Sequence, residues 1–484
     1  MARVLLINPP CTPNELFSRG SKSTASIIPP LGLGYIAAYL MQHGHTCRIV
    51  DGMVEATSLE DLARLSQSFD VVGITVVSTF VKRVVELLQV MNRLSNHPPL
   101  IVGGPHVTVL PESLLRRGAD YAVVGEGETT MLELVEWLGS GRNSRELANI
   151  RGVGYLENGE YVYTGIRVLI DPLDEVPMPA RELLPMQAYS TSISRSSRQP
   201  SHSMMTSRGC PGNCTFCSKK TFGTGVRYFS TERIINEFVH LKNVYHSRDI
   251  AIWDDNFVAN PDRVVNVCDG LKRLKFDLSW SVEARIDAVS LEILKDLKSA
   301  GCSYIAYGIE SGSQRVLDYV HKRITLDQIR HTCAVTKESG LAIRGYFMLG
   351  FPTETLQEME ETIRFAIELD PEVASFTLLV PLPGTAEYFR AKKNPQFDPD
   401  WFWKAIIPEF NFPDQPIHVP ESMTASQLLS IHRSAYNRFY FRPSVLAKRL
   451  LASLRSKDDF IAAIKGGMTL AGNSFSGLLS SGRK

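Results

Sequence analysis

Residues 207 to 218 read SRGCPGNCTFCS and gather Cys210, Cys214 and Cys217 on one short segment. Pro211, Gly212 and Asn213 make this segment a loop, not a packed strand. Soft thiolates gathered on a loop favour zinc or an iron–sulfur cluster. Structural zinc takes four ligands and usually draws its cysteines in two separated pairs. Here the nearest histidine, His202, lies on the strand leading in, and no second pair follows. Three thiolates on a four-iron cluster leave one iron without a protein ligand, so the triplet points to a cluster built to hold a small molecule on its open iron.

The fold around this loop follows from the runs on either side. Strand-like runs SMMTSRG, DIAIWDD, LSWSVEAR, CSYIAYGIE, AIRGYFMLG and VASFTLLVPL begin at residue 203, and a helical stretch follows each of the first five. Such a series of βα units predicts an open, partial version of the eightfold α/β barrel, whose sites gather at the C-terminal strand ends. Upstream, RVLLIN, TCRIVD, DVVGITVV, PLIVGG and DYAVVGEG alternate with amphipathic stretches such as PLGLGYIAAYLMQHG, SLEDLARLSQSF and FVKRVVELLQVMNRLS. Near-continuous apolar strands between such helices predict a parallel, doubly wound sheet of five strands. The expected organisation is a Rossmann-like domain over 1–140, a hairpin around Asn158-Gly159 and a Pro/Ser-rich linker over 141–200, a partial (β/α)6 barrel over 201–390, and a helical region over 391–484.

Composition narrows the class. The 484 residues carry 52 Lys and Arg against 51 Asp and Glu, a net charge of +1, which argues against a nucleic-acid partner. The start, MARVLLINPP, reads as a first strand and not as a signal peptide, and no apolar run approaches the roughly 18 residues of a membrane span. The cytoplasm is the expected compartment. Eight cysteines are too few for a disulfide scaffold, and a clustered set in a reducing compartment more often binds metal or does chemistry.

Cys-x3-Cys-x2-Cys after the first strand of a partial barrel, with an aromatic residue (Phe216) before the last cysteine, resembles the signature of radical S-adenosylmethionine (SAM) enzymes. The resemblance covers residues 203 to 389. It implies a 4Fe-4S cluster on Cys210, Cys214 and Cys217, SAM chelated to the open iron, and one-electron cleavage of its sulfonium to a 5′-deoxyadenosyl radical. It also implies roles at successive strand ends. Asp254 and Asp255 in WDDNF face the methionine ammonium, while Glu283 and Arg285 in SVEARID sit where the arginine can pair with the carboxylate. Glu310 in YGIESGS suits the ribose hydroxyls, and Gly350 in GYFMLGFP lets backbone approach the adenine.

Ligands of doubly wound sheets bind at the carboxyl ends of the strands. Those ends contain Asn8 and Pro9 in INPP, Asp51 and Gly52, Ser78, Gly103, Gly104 and His106 in GGPHVT, and Gly125 and Glu126 in VGEGE. With PPLGLGYIAAYL and the domain order, they resemble the cobalamin-binding domain that precedes the barrel in a large radical SAM subfamily. The cobalamin-binding candidates are therefore Asn8, Pro9, Ser78, Gly103, Gly104, His106, Gly125 and Glu126. The motif Asp-x-His-x-x-Gly is absent, so no histidine is expected below cobalt, and no Gly-x-Gly-x-x-Gly follows strand one to bind a dinucleotide. Cys11, just after NPP, reads as a small packed residue.

The resemblance implies a cobalamin-dependent C-methyltransferase acting on a small molecule and fed by an electron donor such as flavodoxin or ferredoxin. An oxidative or ring-forming cyclase, like the anaerobic porphyrin cyclases of this subfamily, and a non-catalytic cluster-bearing regulator are the alternatives. No catalytic residue is assigned. The aromatic and basic stretch RFYFRPSVLAKRLLASL reads as a lid or as an interfacial helix.

Overall fold

The computed structural model describes residues 1–11, 15, 27–141, 143–189, 198–404, 406 and 415–447. Five parallel strands begin it: β1 (Arg3–Asn8), β2 (Thr46–Asp51), β3 (Val71–Thr75), β4 (Leu100–Gly103) and β5 (Tyr121–Val123), ordered β2-β1-β3-β4-β5. Successive side chains of a strand point to opposite faces. Val4 and Leu6 accordingly pack under the helices Leu31–Gln42 and Glu128–Gly139, while Leu5 and Ile7 pack under Val81–Met91. The strand order reverses between β1 and β3, which opens a crevice at their carboxyl ends.

The hairpin forms around Asn158 and Gly159, both at positive φ (53° and 84°), as β6 (Val153–Glu157) and β7 (Glu160–Tyr163). It does not stand apart as a linker element. β6 pairs antiparallel with β5, so the first sheet has seven strands and the backbone groups of β5 are satisfied on both sides. Part of the Pro/Ser-rich segment, residues 190–197, lies outside the described residues.

The second sheet is an open, curled half-barrel of six parallel strands in sequential order: β8 (Ser201–Met204), β11 (Asp249–Ile252), β12 (Ser279–Ala284), β13 (Cys302–Glu310), β14 (Ala342–Leu349) and β15 (Val373–Leu378). The first of these was expected to run to Gly209 but stops at Met204. Beyond it, β9 (Ser207–Arg208) turns aside to pair antiparallel with β10 (Arg227–Tyr228). Asp254 imposes the turn. Its buried carboxylate accepts from the backbone N–H of Thr206 at 2.6 Å and of Ser207 at 3.1 Å, and from the Ser207 hydroxyl at 2.6 Å.

The free edge of the half-barrel is covered by the helix Ala425–Tyr440. One helical turn is close to the span of two strand residues. Tyr440 and Tyr436, four apart, therefore reach alternate residues of β15. The Tyr440 hydroxyl donates to Ala374 O at 2.7 Å and accepts from its N–H at 3.1 Å, and Tyr436 does the same for Phe376 at 2.9 and 3.2 Å. This part of the aromatic C-terminal stretch is a structural cover for a sheet edge and not an exposed interfacial face; residues 448–484 lie outside the described residues. No helix among the described residues is long and apolar enough to cross a membrane.

Candidate functional site

The β9–β10 ribbon closes the base of a loop, residues 209–226, that carries the three cysteines. Gly209 has φ +97°, and a Cβ there would stand 2.3 Å from Gly225 O, so only glycine lets the ribbon close. The loop is pinned to the barrel beyond. Thr215 N–H donates to Val320 O at 3.0 Å, Glu387 N–H donates to Thr215 O at 3.2 Å, and the Phe216 ring lies 5.9 Å from that of Phe351. Cys217 N–H donates to Cys214 O at 3.2 Å.

Arg285 backs the loop. Its Nη1 is 3.7 Å from Cys214 Sγ, its Nη2 donates to Lys322 O at 2.8 Å, and Asp287 holds the guanidinium at 3.0 and 2.9 Å. A Cβ at Gly212 would meet Arg285 Nη1 at 2.9 Å, so glycine is what admits the cation. Cys217 reaches solvent on one side. The protein packed around it, then the charges of Asp255, Cys214 and Cys210, push its thiol up to about 11. A thiol held protonated in this way gives up its proton when it ligates a metal. Among the described residues no three His, Cys, Asp or Glu side chains are gathered as ligands of a single ion. Three free thiols on one loop are the donor set that a four-iron cluster with one open iron would take.

The strand-end residues take up different positions. Asp254 is committed to Thr206 and Ser207, with Arg263 at 3.7 Å, whereas its neighbour Asp255 faces the open cavity described below. Desolvation, then the charge of Asp254, raises the Asp255 carboxyl above its usual range. Glu283 accepts from the Tyr346 hydroxyl at 3.1 Å. Glu310 is held at φ +69°, beside a register shift between β13 and β14, and pairs with Lys322 at 2.9 Å. A non-glycine residue in that region is strained, as binding residues often are. Lys322 in turn sits 6.0 Å from the centre of the Phe216 ring.

At the end of β14, Gly350 (φ +92°) and Phe351 donate their N–H groups to buried Glu354 at 2.6 and 3.1 Å. Burial pushes the Glu354 carboxyl up to about 8, against the pull of those two N–H groups. The folded state therefore holds this proton more tightly than the unfolded chain. The associated stability is complete below the ordinary value of 4.5 and is lost as pH rises to about 8. Glu354→Gln should flatten the melting temperature over this window, as scanning calorimetry at stepped pH will check.

A cavity of about 400 Å³ runs between the two sheets. On the first domain's side it is lined by Gly103, Gly104, Gly125 and Glu126, with Leu33 and Ile36 of the helix Leu31–Gln42; on the barrel side by Cys210, Cys217, Asp255, Lys219 and Phe222. The strand ends thus offer a glycine floor with little side chain above it, which suits a flat macrocycle. A Cβ at Gly125 would meet nothing within 4 Å, while at Gly104 (φ +100°) it would meet Val76 O at 2.9 Å.

The other first-domain candidates do not line the cavity. Asn8 Nδ2 donates to Asp51 at 2.7 Å, and Pro9 is buried beside it. Ser78 pairs with His106 at 3.0 Å. His106 also meets Ser113 at 3.3 Å and the Phe402 ring at 5.0 Å, and burial pushes its imidazole down to about 4. Glu126 lines the cavity, but both its oxygens are engaged by Arg208 and Arg227. Sequence reasoning missed Arg208, Lys219, Lys322 and Glu354. Arg208 and Lys219 flank the cysteine triplet, and that closeness was the available signal. The Lys219 amine is buried without a hydrogen-bond partner among the described residues.

Comparison with known proteins gives two family matches: the B12 binding domain over residues 22–135 and the radical SAM superfamily over residues 204–366. An uncharacterized methyltransferase of Pyrococcus horikoshii is 35% identical over 452 residues, 92% of this chain and 94% of that one. The anaerobic magnesium-protoporphyrin IX monomethyl ester cyclase of Rubrivivax gelatinosus is 26% identical over 92% of this chain and 78% of its own length. In fold, the chain resembles the radical SAM methyltransferase TsrM from Kitasatospora setae, solved with tryptophan and a SAM analogue. The TM-score is 0.66 at 20% identity, over 95% of this chain and 88% of that one.

Proposed function

The chain belongs to the radical SAM enzymes that carry a B12-binding domain ahead of the barrel, and we propose that it methylates an unactivated carbon of a small molecule lodged between its two domains. The observation that carries this reading is the single cavity that reaches from Gly103, Gly104 and Gly125 to Cys210 and Cys217. A donor held over one wall and a radical generated at the other would meet the same substrate. When bound, the cluster, SAM and cobalamin would supply the electron, the radical and the methyl group, and a small electron-transfer protein such as flavodoxin or ferredoxin would reduce the cluster.

The chain's own residues hold and exclude. Cys210, Cys214 and Cys217 hold the cluster, and Arg285 places a cation beside it. Asp255 and Glu283 face the methionine end of SAM, Glu310 the ribose, and the Gly350 turn the adenine. Leu33, Ile36 and Phe222 keep water from the reacting carbon. The Lys219 amine, charged beside Asp255 and buried without a hydrogen-bond partner among the described residues, would hold the negative end of whichever molecule fills the barrel side.

Glu310→Gln keeps the size of the side chain and removes its charge. It is expected to leave the cluster intact and weaken SAM binding by about 1–3 kcal/mol. Calorimetric titration of the reconstituted variant checks this; unchanged affinity would refute the assignment of Glu310 to SAM.

The likeness to the porphyrin cyclase favours a second reading, in which the same cavity serves ring closure and no methyl group is transferred. Anaerobic turnover with deuterium-labelled SAM methyl, over a fractionated small-molecule extract, separates the two. Methylation puts label in a product; 5′-deoxyadenosine formed with an unlabelled, hydrogen-depleted product favours cyclisation.

A further inference from the structure

The ribbon beneath the cysteine loop places two arginines directly opposite each other, with Arg208 on β9 the register partner of Arg227 on β10. Like charges facing each other across an antiparallel pair repel. Here both are nearly out of water, with side chains 3% and 9% exposed. The groups that neutralise them come from the other domain. Glu126 Oε1 accepts from Arg208 Nη1 at 2.9 Å and from Arg227 Nη2 at 2.8 Å, and its Oε2 accepts from Arg227 Nη1 at 3.0 Å. Glu128 accepts from Arg208 Nη2 at 2.6 Å. Arg208 also lies between the rings of Tyr35 and Phe222, 5.3 Å from each. Two cations thus meet two carboxylates, Arg227 Nη1 donates besides to Ile170 O at 2.6 Å, and the Nε of each arginine is buried without a hydrogen-bond partner among the described residues.

We infer that Glu126 and Glu128 are positioning residues for the cluster-bearing loop: they hold the β9–β10 ribbon closed from the B12-binding domain and thereby set where Cys210, Cys214 and Cys217 stand. Without them the ribbon is a two-residue pair whose Ser207 end stays held by Asp254, while at the loop end two like charges face each other with only the neutral Ile170 carbonyl, 2.6 Å from Arg227 Nη1, beside them. Gly125 and Gly127, which line the cavity, flank Glu126. A molecule bound in the first domain and the redox group of the second therefore share one structural element. The inference rests on the reading of the three thiolates as cluster ligands.

Glu126→Gln leaves Arg227 buried without its counter-ion, and breaking a buried pair on one side is strongly unfavourable. In reconstituted protein we expect the half-life of bound iron under a chelator to fall by about tenfold and the electron paramagnetic resonance spectrum of the reduced cluster to change shape. The double variant Glu126→Gln/Arg227→Met removes the orphaned cation and leaves the Arg208–Glu128 pair balanced. It should bring both readouts back toward wild type. A residue acting by direct contact with the cofactor of the first domain would behave otherwise: cobalamin uptake would fall equally in the single and double variants, and the cluster would be untouched. That pattern overturns the inference, as does a Glu126→Gln protein with wild-type iron retention and spectrum, or a double variant that recovers nothing although circular dichroism shows native melting. Limited proteolysis of the metal-free protein within residues 209–226 tests the latch independently of the cluster. Cutting should accelerate in Glu126→Gln and slow again in the double variant, and equal rates in all three overturn the inference. Wild-type protein that takes up no iron would defeat the cluster reading and leave the proteolysis result to decide the latch.

Discussion

Cys214→Ala is expected to abolish the brown absorbance of the reconstituted protein and all formation of 5′-deoxyadenosine from SAM. Cys214 is the middle thiol of the loop. Its carbonyl accepts from Cys217 N–H, and its sulfur is the one that Arg285 approaches, at 3.7 Å. Two remaining thiolates cannot hold three corners of a cluster, so the loss should be complete and not graded. Cys268 and Cys333 provide the control. They lie in the helices Pro261–Leu274 and Leu326–Glu338, are 0% and 3% exposed, and belong to the barrel's apolar core. Alanine at either should cost on the order of 1 kcal/mol in packing and leave iron content and SAM cleavage unchanged. Iron per chain, the visible spectrum and chromatographic detection of 5′-deoxyadenosine measure all three variants. Wild-type protein that carried only zinc would overturn the reading.

The strands were legible where burial on both faces writes a continuous apolar run: RVLLIN and CSYIAYGIE coincide with β1 and β13 to the residue. SMMTSRG was misjudged because its strand is ended by Asp254, 48 positions from Thr206, and no local signal carries that contact. The hairpin was visible from Asn158-Gly159, but its pairing with β5 depends on which edge lies free in space. In the site, the thiol spacing was enough to find the loop. The choice between Asp254 and Asp255 was not legible, because adjacent residues at a strand end face opposite ways and only the fold decides which carboxylate is buried. Ser78 and His106 lie just past the ends of β3 and β4, on a 3-10 turn and a short helix, where they satisfy each other outside the cavity lining. The carboxylate that holds Arg208 and Arg227 lies 82 and 101 positions away from them, so sequence distance hid the latch.

Gly32→Trp should block cobalamin uptake while sparing the cluster, and it is a sharper probe of the first domain than Gly104. A side chain at Gly104 would press on Val76 O and strain a backbone held at φ +100°, so loss of binding there would also follow from local misfolding. Gly32 lies in the first turn of the helix Leu31–Gln42, borders the cavity, and has nothing within 4 Å of an added Cβ. Replacing glycine in a helix raises helix propensity, so the fold has no reason to weaken. The indole would instead occupy space above the glycine floor, and cobalamin affinity should fall by about a hundredfold or more, since overpacking of a filled site costs 1–3 kcal/mol or above. Labelled methyl should vanish from product, while iron content and SAM cleavage persist. His106→Ala is the counterpart expected to change nothing in the cobalamin spectrum, which should remain base-off, because His106 faces Ser78, Ser113 and Phe402 away from the cavity. Undiminished cobalamin binding in Gly32→Trp would move the cofactor out of this cavity. Wild-type protein that takes up no cobalamin yet makes 5′-deoxyadenosine with its substrate would exclude methyl transfer through cobalt, and the glycine floor would then be the wall of a substrate cavity.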